Sequence, residues 1–262
     1  MAYLQSVISE RAEPVRLPGG PGLAVREADG PLRPFLLVHD LDADGGAWDR
    51  IAERLNQAGH QVLAVDLRGH GRSETPGRGY DTDTCADDLA CLLEELGLAG
   101  ARSPVLVGHG WGANVAMSLA ARRDGIAGLG CLDGGWIRPS WRHATEQEWQ
   151  QGYERTNHVE DGGQHRLERR RSILRSIYRG DPRGWYPLVD VPVLLCPMAP
   201  PDGRPDPTGR GQAARTGVAE AVSGLPRARV RWHYGDDDVL GSDPAALVDD
   251  LLGLATWAEP EP

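Results

Sequence analysis

The chain has 262 residues, 40% of them hydrophobic, and its 38 acidic against 28 basic residues give a formal net charge of −10. That length fits one large α/β domain with an insertion, or two small domains. The negative balance argues against a nucleic-acid-binding surface and reads as a solubility charge. All 28 basic residues are arginine, which excludes a lysine Schiff base and a phosphate-loop lysine.

The four cysteines (Cys85, Cys91, Cys131 and Cys196) form no C-x-x-C pair. Cys131 and Cys196 fall in apolar strand-like runs, where a reduced cysteine acts as a small hydrophobe. Met1 to Arg11 lacks a long apolar core, so no signal peptide is expected. No apolar run reaches membrane-spanning length, and the expectation is a cytoplasmic protein with no membrane partner.

Along the chain, Pro14–Leu17 and Leu23–Glu27 flank Pro18-Gly19-Gly20-Pro21, a hairpin signal. Phe35 to His39 is a continuous apolar run, as expected of a strand covered on both faces. Ala47 to Ala58 has helical spacing through Trp48, Ile51 and Leu55, and Gly59 closes it. Gln61–Val65 reads as a strand and Asp83–Leu96 as a helix. Val105–Val107 then leads through a sharp turn into a helix from Trp111 to Arg123, whose small residues suit close packing against a sheet. Ile126–Leu132, Val191–Leu195 and Ala228–His233 read as further strands. A last helix runs from Pro244 to about Trp257, capped by Asp243. Pro197–Gly211 is rich in proline and glycine and reads as a loop. The alternation predicts a mostly parallel sheet with helices on both faces, and a site at the carboxyl ends of the strands.

The turn at Gly108-His109-Gly110-Trp111-Gly112 has the outline of a nucleophile elbow, G-x-S-x-G, with glycine at the tip. Four other segments accompany it in order. They are His39-Asp40-Leu41, the run Asp66-Leu67-Arg68-Gly69-His70-Gly71-Arg72-Ser73, Asp133 at a strand end, and Asp202 some way past Pro192. The ordered set resembles the α/β-hydrolase superfamily over nearly the whole chain. The resemblance implies an eight-stranded, mostly parallel sheet with helices on both faces and a helical lid. Residues 1–135 and 188–262 would form the core and residues 136–187 the lid.

In that family the elbow carries a nucleophile, a late histidine serves as base and a carboxylate orients it. Here the nucleophile slot holds Gly110, and the slot for the histidine falls on Asp237, within Asp236-Asp237-Asp238. Asp202 stands at the acid slot, with Asp206 as the alternative. Asp202 and Asp237 are therefore the candidate catalytic carboxylates, able to share a proton as acid and base or to hold a cation. The resemblance implies that the backbone N–H groups of Leu41 and Trp111 form an oxyanion site. Asp40 stands where the family has glycine and would crowd that site. His109 and Trp136 are candidate ligand contacts. His39 and His70 are expected to serve structure, and His233 to be a satisfied core residue. No metal-ligand spacing and no cofactor motif appear.

The aromatic residues of 136–187 suit a hydrophobic, polyketide-like small molecule, or serve to pack the lid onto the core. Arg169-Arg170-Arg171 suits an anionic ligand or lies on a solvated helix face. Four functions remain open. The first is a non-hydrolytic step (cyclisation, elimination or isomerisation) that needs no nucleophile. The others are ligand binding without turnover, weak hydrolysis by a water at the vacant tip, and dinucleotide binding through Gly108-x-Gly110-x-x-Ala113 with Asp133. The sequence names neither the substrate nor the oligomeric state.

Overall fold

The computed structural model describes residues 8–138, 145–156, 164–200, 210–235 and 239–259. The chain begins with β1 (Ser9–Glu10), β2 (Val15–Arg16), β3 (Gly22–Leu23) and β4 (Val25–Ala28). β2 and β3 pair antiparallel as the expected hairpin. Then follow β5 (Leu32–Val38), α1 (Asp49–Gln57), β6 (His60–Val65), α2 (Thr82–Glu95), β7 (Val105–His109), α3 (Trp111–Arg122) and β8 (Gly128–Leu132). Two helices, α4 (Glu146–Thr156) and α5 (Gln164–Arg179), separate β8 from β9 (Val193–Cys196). The chain continues through β10 (Met198–Ala199), α6 (Arg210–Gly224), β11 (Ala228–Val230), β12 (His233–Tyr234), α7 (Val239–Ser242) and α8 (Pro244–Trp257).

The main sheet has eight strands in the spatial order β1-β4-β6-β5-β7-β8-β9-β11. β4 runs antiparallel to both β1 and β6, and the pairs from β6 to β11 are parallel. Parallel strands must be covered on both faces, and the central ones are fully buried: Phe35 to Val38, Val105 to Val107 and Leu129 to Leu132 pack into two apolar layers. One layer lies under α2, α3 and the 164–189 segment; the other lies under α1 and α8.

The segment read as one strand over 228–233 is two. β11 stays in the main sheet, whereas β12 leaves it to pair in parallel with β10. α6 was not anticipated. No helix among the described residues is long and apolar enough to cross a membrane.

Candidate active site

β7 ends at His109, and Gly110 turns the chain into α3 with φ 54° and ψ −119°. Only glycine adopts that region cheaply. The turn is pinned by the Gly110 N–H donating to Leu132 O at 2.9 Å and the Ala113 N–H donating to Gly110 O at 3.2 Å. Its flanking glycines are required by packing. A Cβ at Gly108 would overlap the backbone of Gly112 and Ala113, and one at Gly112 would overlap the carbonyl oxygens of Val38 and His39.

Asp40, just past β5, meets this tip. Its Oδ1 accepts the Trp111 N–H at 2.6 Å. A Cβ built on Gly110 would fall on the Asp40 carboxylate itself, closer than any real contact allows. The carboxylate thus fills the volume that an elbow side chain would take. Trp111 N–H, expected as an open oxyanion donor, is already engaged.

Two buried histidines hold the neighbouring loops. The Leu67 N–H donates to His39 Nε2 at 3.0 Å, so Nδ1 carries the hydrogen and donates to Asp40 O at 2.7 Å. His70 places Nδ1 3.0 Å from Arg68 O and Nε2 2.9 Å from Leu41 O. Burial pushes the pKa of His39 down to about 4 and that of His70 down to about 3. Burial thus disfavours the charged form of both rings, and both tie loops together, the structural role the resemblance implied. Nearby, Asp66 accepts the Gly45 and Arg72 N–H groups at 2.7 and 2.8 Å. Arg68 pairs through two hydrogen bonds of 2.5 Å with Asp88 on α2. The 66–73 loop is therefore a rigid wall and offers no free nucleophile.

The α4–α5 pair is clamped to the turn after β5 by Asp42. Tyr153 Oη donates to Asp42 Oδ2 at 2.8 Å, and Arg170 donates through Nε at 2.9 Å and through Nη2 to Oδ1. Arg170, read as a member of an exposed or anion-binding run, is only 5% exposed and is a structural clamp. The Tyr153 hydroxyl is held protonated by burial and by the negative charges of Asp40 and Asp42.

A cleft of about 390 Å³ opens between this turn and α5. Its walls include Asp42, Asp44, His70, Arg166 and Arg169. The Arg169 Nε is buried without a hydrogen-bond partner. A second cleft, of about 330 Å³, lies between α2 and α5 and is lined by Asp81, Thr82, Ser176 and Trp185 among others. The first cleft is walled mainly by polar and charged side chains, whereas Trp185 and Ile177 give the second an apolar part. Trp136, expected to face a ligand, is 4% exposed, packs against Gly217 on α6 and lines neither cleft. The Tyr186 ring is buried, with its hydroxyl on Gly135 O at 3.2 Å. The Trp149 indole N–H donates to Leu174 O at 3.2 Å. These aromatic side chains pack the insertion.

The likeness to known proteins agrees with this geometry. A family model described as "alpha/beta hydrolase fold" matches residues 33–161. The chain has the α/β-hydrolase fold. The thermophilic esterase from Thermogutta terrifontis superposes with a TM-score of 0.73 at 21% identity, covering 95% of this chain and 99% of the esterase. In sequence, the chain is 41% identical over 80 residues to the non-heme chloroperoxidase CPO-A1 of Kitasatospora aureofaciens, a match covering 30% of this chain and 28% of that enzyme. It is 37% identical over 101 residues to the 2-(acetamidomethylene)succinate hydrolase of Mesorhizobium japonicum, covering 38% and 34% respectively. The alignable stretch is thus about a third of those relatives' length.

In this sheet order Gly108-x-Gly110-x-x-Ala113 forms an elbow, and the dinucleotide reading falls away. Asp133, which that reading needed as a ribose ligand, has φ 46° and is bound into the sheet edge. Its N–H donates to Cys196 O at 3.0 Å and its Oδ1 accepts the Met198 N–H at 3.4 Å. His109 is half-buried beside the tip, and Leu41 is buried with its carbonyl facing His70. Asp202, Asp206 and Asp237 lie outside the described residues.

Proposed function

We propose that this α/β-hydrolase-fold protein binds a small organic molecule at the elbow and promotes a non-hydrolytic proton-transfer step: a cyclisation, an elimination or an isomerisation. The observation that supports this reading is the Asp40 carboxylate, which replaces the nucleophile in space and is held by the backbone donor that would otherwise stabilise an oxyanion. An acyl-enzyme route needs both a nucleophile and a base. Loss of one costs about 10⁶ in turnover, and roughly 10³ to 10⁴ over water survives from donors and binding. A carboxylate fixed through one oxygen keeps the other free to take a proton from an enolisable carbon or a hydroxyl and to return it elsewhere on the same molecule. Asp202 and Asp237 are proposed as the partners that would complete an acid–base pair. The 390 Å³ cleft with Arg166 and Arg169 suits a polar or anionic group on that molecule. The packed aromatic residues weaken the case for a purely hydrophobic ligand.

The test joins two measurements. Short-chain p-nitrophenyl esters are assayed for hydrolysis, and ligand co-purified with the protein is incubated in deuterated water and analysed by mass spectrometry. The expected result is ester turnover at the buffer rate, with deuterium entering the ligand or its product in wild type and not in Asp40→Asn. Ester turnover blocked by a fluorophosphonate would return the chain to the hydrolases. Ligand recovered unchanged and without deuterium would make it a binding protein.

A further inference from the structure

On the face of the sheet opposite α3, three side chains from separate elements converge. Cys196 ends β9, His233 opens β12 and Asp250 lies on α8. One donor atom from each falls within 4.8 Å of the others, the only such cluster among the described residues. Cys196 is fully buried and His233 is 7% exposed. His233 Nε2 lies 3.2 Å from Asp250 Oδ2, yet it is buried without a hydrogen-bond partner, so the approach has the wrong direction for an N–H···O bond.

That combination has a simple physical reading. Two donors bound to one tetrahedral cation at about 2.0–2.1 Å stand about 3.3 Å apart, with their lone pairs aimed at a shared point between them and not at each other. A buried imidazole nitrogen left unsatisfied costs free energy, and a cation at that shared point would remove the cost. We propose that Cys196, His233 and Asp250 bind a divalent transition-metal ion, with the thiol giving up its proton on binding. A thiolate, an imidazole and a carboxylate together suit Zn²⁺ and its spectroscopic substitute Co²⁺, and disfavour Mg²⁺ and Ca²⁺, which take oxygen donors. Three protein donors leave a fourth tetrahedral position for water.

The placement gives the ion a role. β10 pairs with β12 through Met198 and His233, and the His233 N–H donates to Pro197 O at 2.9 Å. From these two strands the chain runs on toward positions 202 and 237, the acid and histidine slots of the superfamily. A bound ion would tie both strands to α8 and fix the roots of those two segments where the serine–histidine–acid contacts no longer do so. Arg231 Nε, 3.3 Å from Asp250 Oδ1, occupies the other carboxylate oxygen and leaves Oδ2 for the ion.

Full-length protein stripped with EDTA and shown by circular dichroism to be folded is titrated with Co²⁺, then with Zn²⁺ in competition. We expect one ion per chain, the strong visible bands of tetrahedral Co²⁺ and a near-ultraviolet thiolate-to-cobalt band that Zn²⁺ abolishes. Cys196→Ser should remove the ultraviolet band, and Asp250→Asn and His233→Gln should each weaken Co²⁺ binding by at least roughly tenfold. Asp250 lies on a partly exposed helix face, so Asp250→Asn carries the test if Cys196→Ser fails to fold. The proposal is overturned if folded, stripped wild type takes up no stoichiometric Co²⁺, or if both the ultraviolet band and the affinity survive these substitutions.

Discussion

At Gly110 two costs of adding a side chain coincide: a backbone at φ 54° and a volume already held by the Asp40 carboxylate. The first costs any residue with a Cβ about 1–3 kcal/mol. The second forces Asp40 off the Trp111 N–H, leaving that donor unsatisfied. Gly110→Ser should therefore destabilise the protein by more than about 2 kcal/mol in urea denaturation. Adding Asp40→Gly should recover part of the loss, with a favourable coupling of roughly 0.5–3 kcal/mol that strictly additive costs would contradict. Ester hydrolysis should stay at the buffer rate in both variants, because restoring the hydroxyl does not restore a base. The glycine tip was legible because G-x-G-x-G stands between an apolar run and a helix, and the segments at 39–41 and 66–73 choose the elbow over a dinucleotide turn. The engagement of the Trp111 N–H by Asp40 was only half legible: the missing glycine at position 40 signals crowding, but no one-dimensional pattern shows which donor the carboxylate finds.

The insertion between β8 and β9 depends on how α4 and α5 seat on the sheet. Apolar Ile173, Leu174 and Ile177 bury one face of α5, and Asp42 clamps the pair through Tyr153 and Arg170. Arg170 is buried while Asp42 is partly exposed, so the two halves of the ion pair are unequal. Asp42→Ala leaves a buried guanidinium uncompensated, and the cost is expected to reach a few kcal/mol, roughly 3. Arg170→Leu removes the charge as well and should cost clearly less. Limited proteolysis within 145–185 would then proceed faster in the aspartate variant than in the arginine variant; the reverse order would mean that the clamp works through packing alone. These elements were poorly legible in the sequence. The run Gln164–Arg179 carries so many arginines that its apolar stripe is diluted, and Arg170 looks solvated until the turn after β5 is placed beside it. α6 hid behind the proline-rich segment that precedes it. The Cys196, His233 and Asp250 cluster was invisible for a different reason: a strand end, a strand start and a helix face meet only because β12 leaves the main sheet to pair with β10.

Across the molecule, the alternating strands and helices read from the sequence reproduce the sheet, because doubly covered parallel strands must be apolar throughout and the connecting helices must be amphipathic. The same burial sets how the fold responds to acid. His39 and His70 lie with ring centroids 4.9 Å apart and planes tilted by 58° inside the loops around the elbow. Their folded pKa values, about 4 and about 3, lie below the ordinary 6.5. The unfolded chain therefore binds protons that the native state refuses, and stability rises with pH wherever that is so. The stabilisation is complete above about pH 6.5 and is lost as pH falls toward the folded values. Between pH 7 and pH 5 each imidazole contributes a loss of about 2 kcal/mol, or about 4 kcal/mol for the pair. Asp66 and Asp88, whose pKa values burial raises, act with the opposite sign and offset part of this toward lower pH. Urea denaturation of wild type at pH 7.5 and pH 5.0 should show the midpoint falling in acid. His70→Gln, less stable at pH 7.5, should show a shallower fall, because one of the two proton-refusing groups is gone. An unchanged slope in His70→Gln would mean that the ring accepts a proton in the folded state, as its two carbonyl neighbours would allow, and that burial does not govern it.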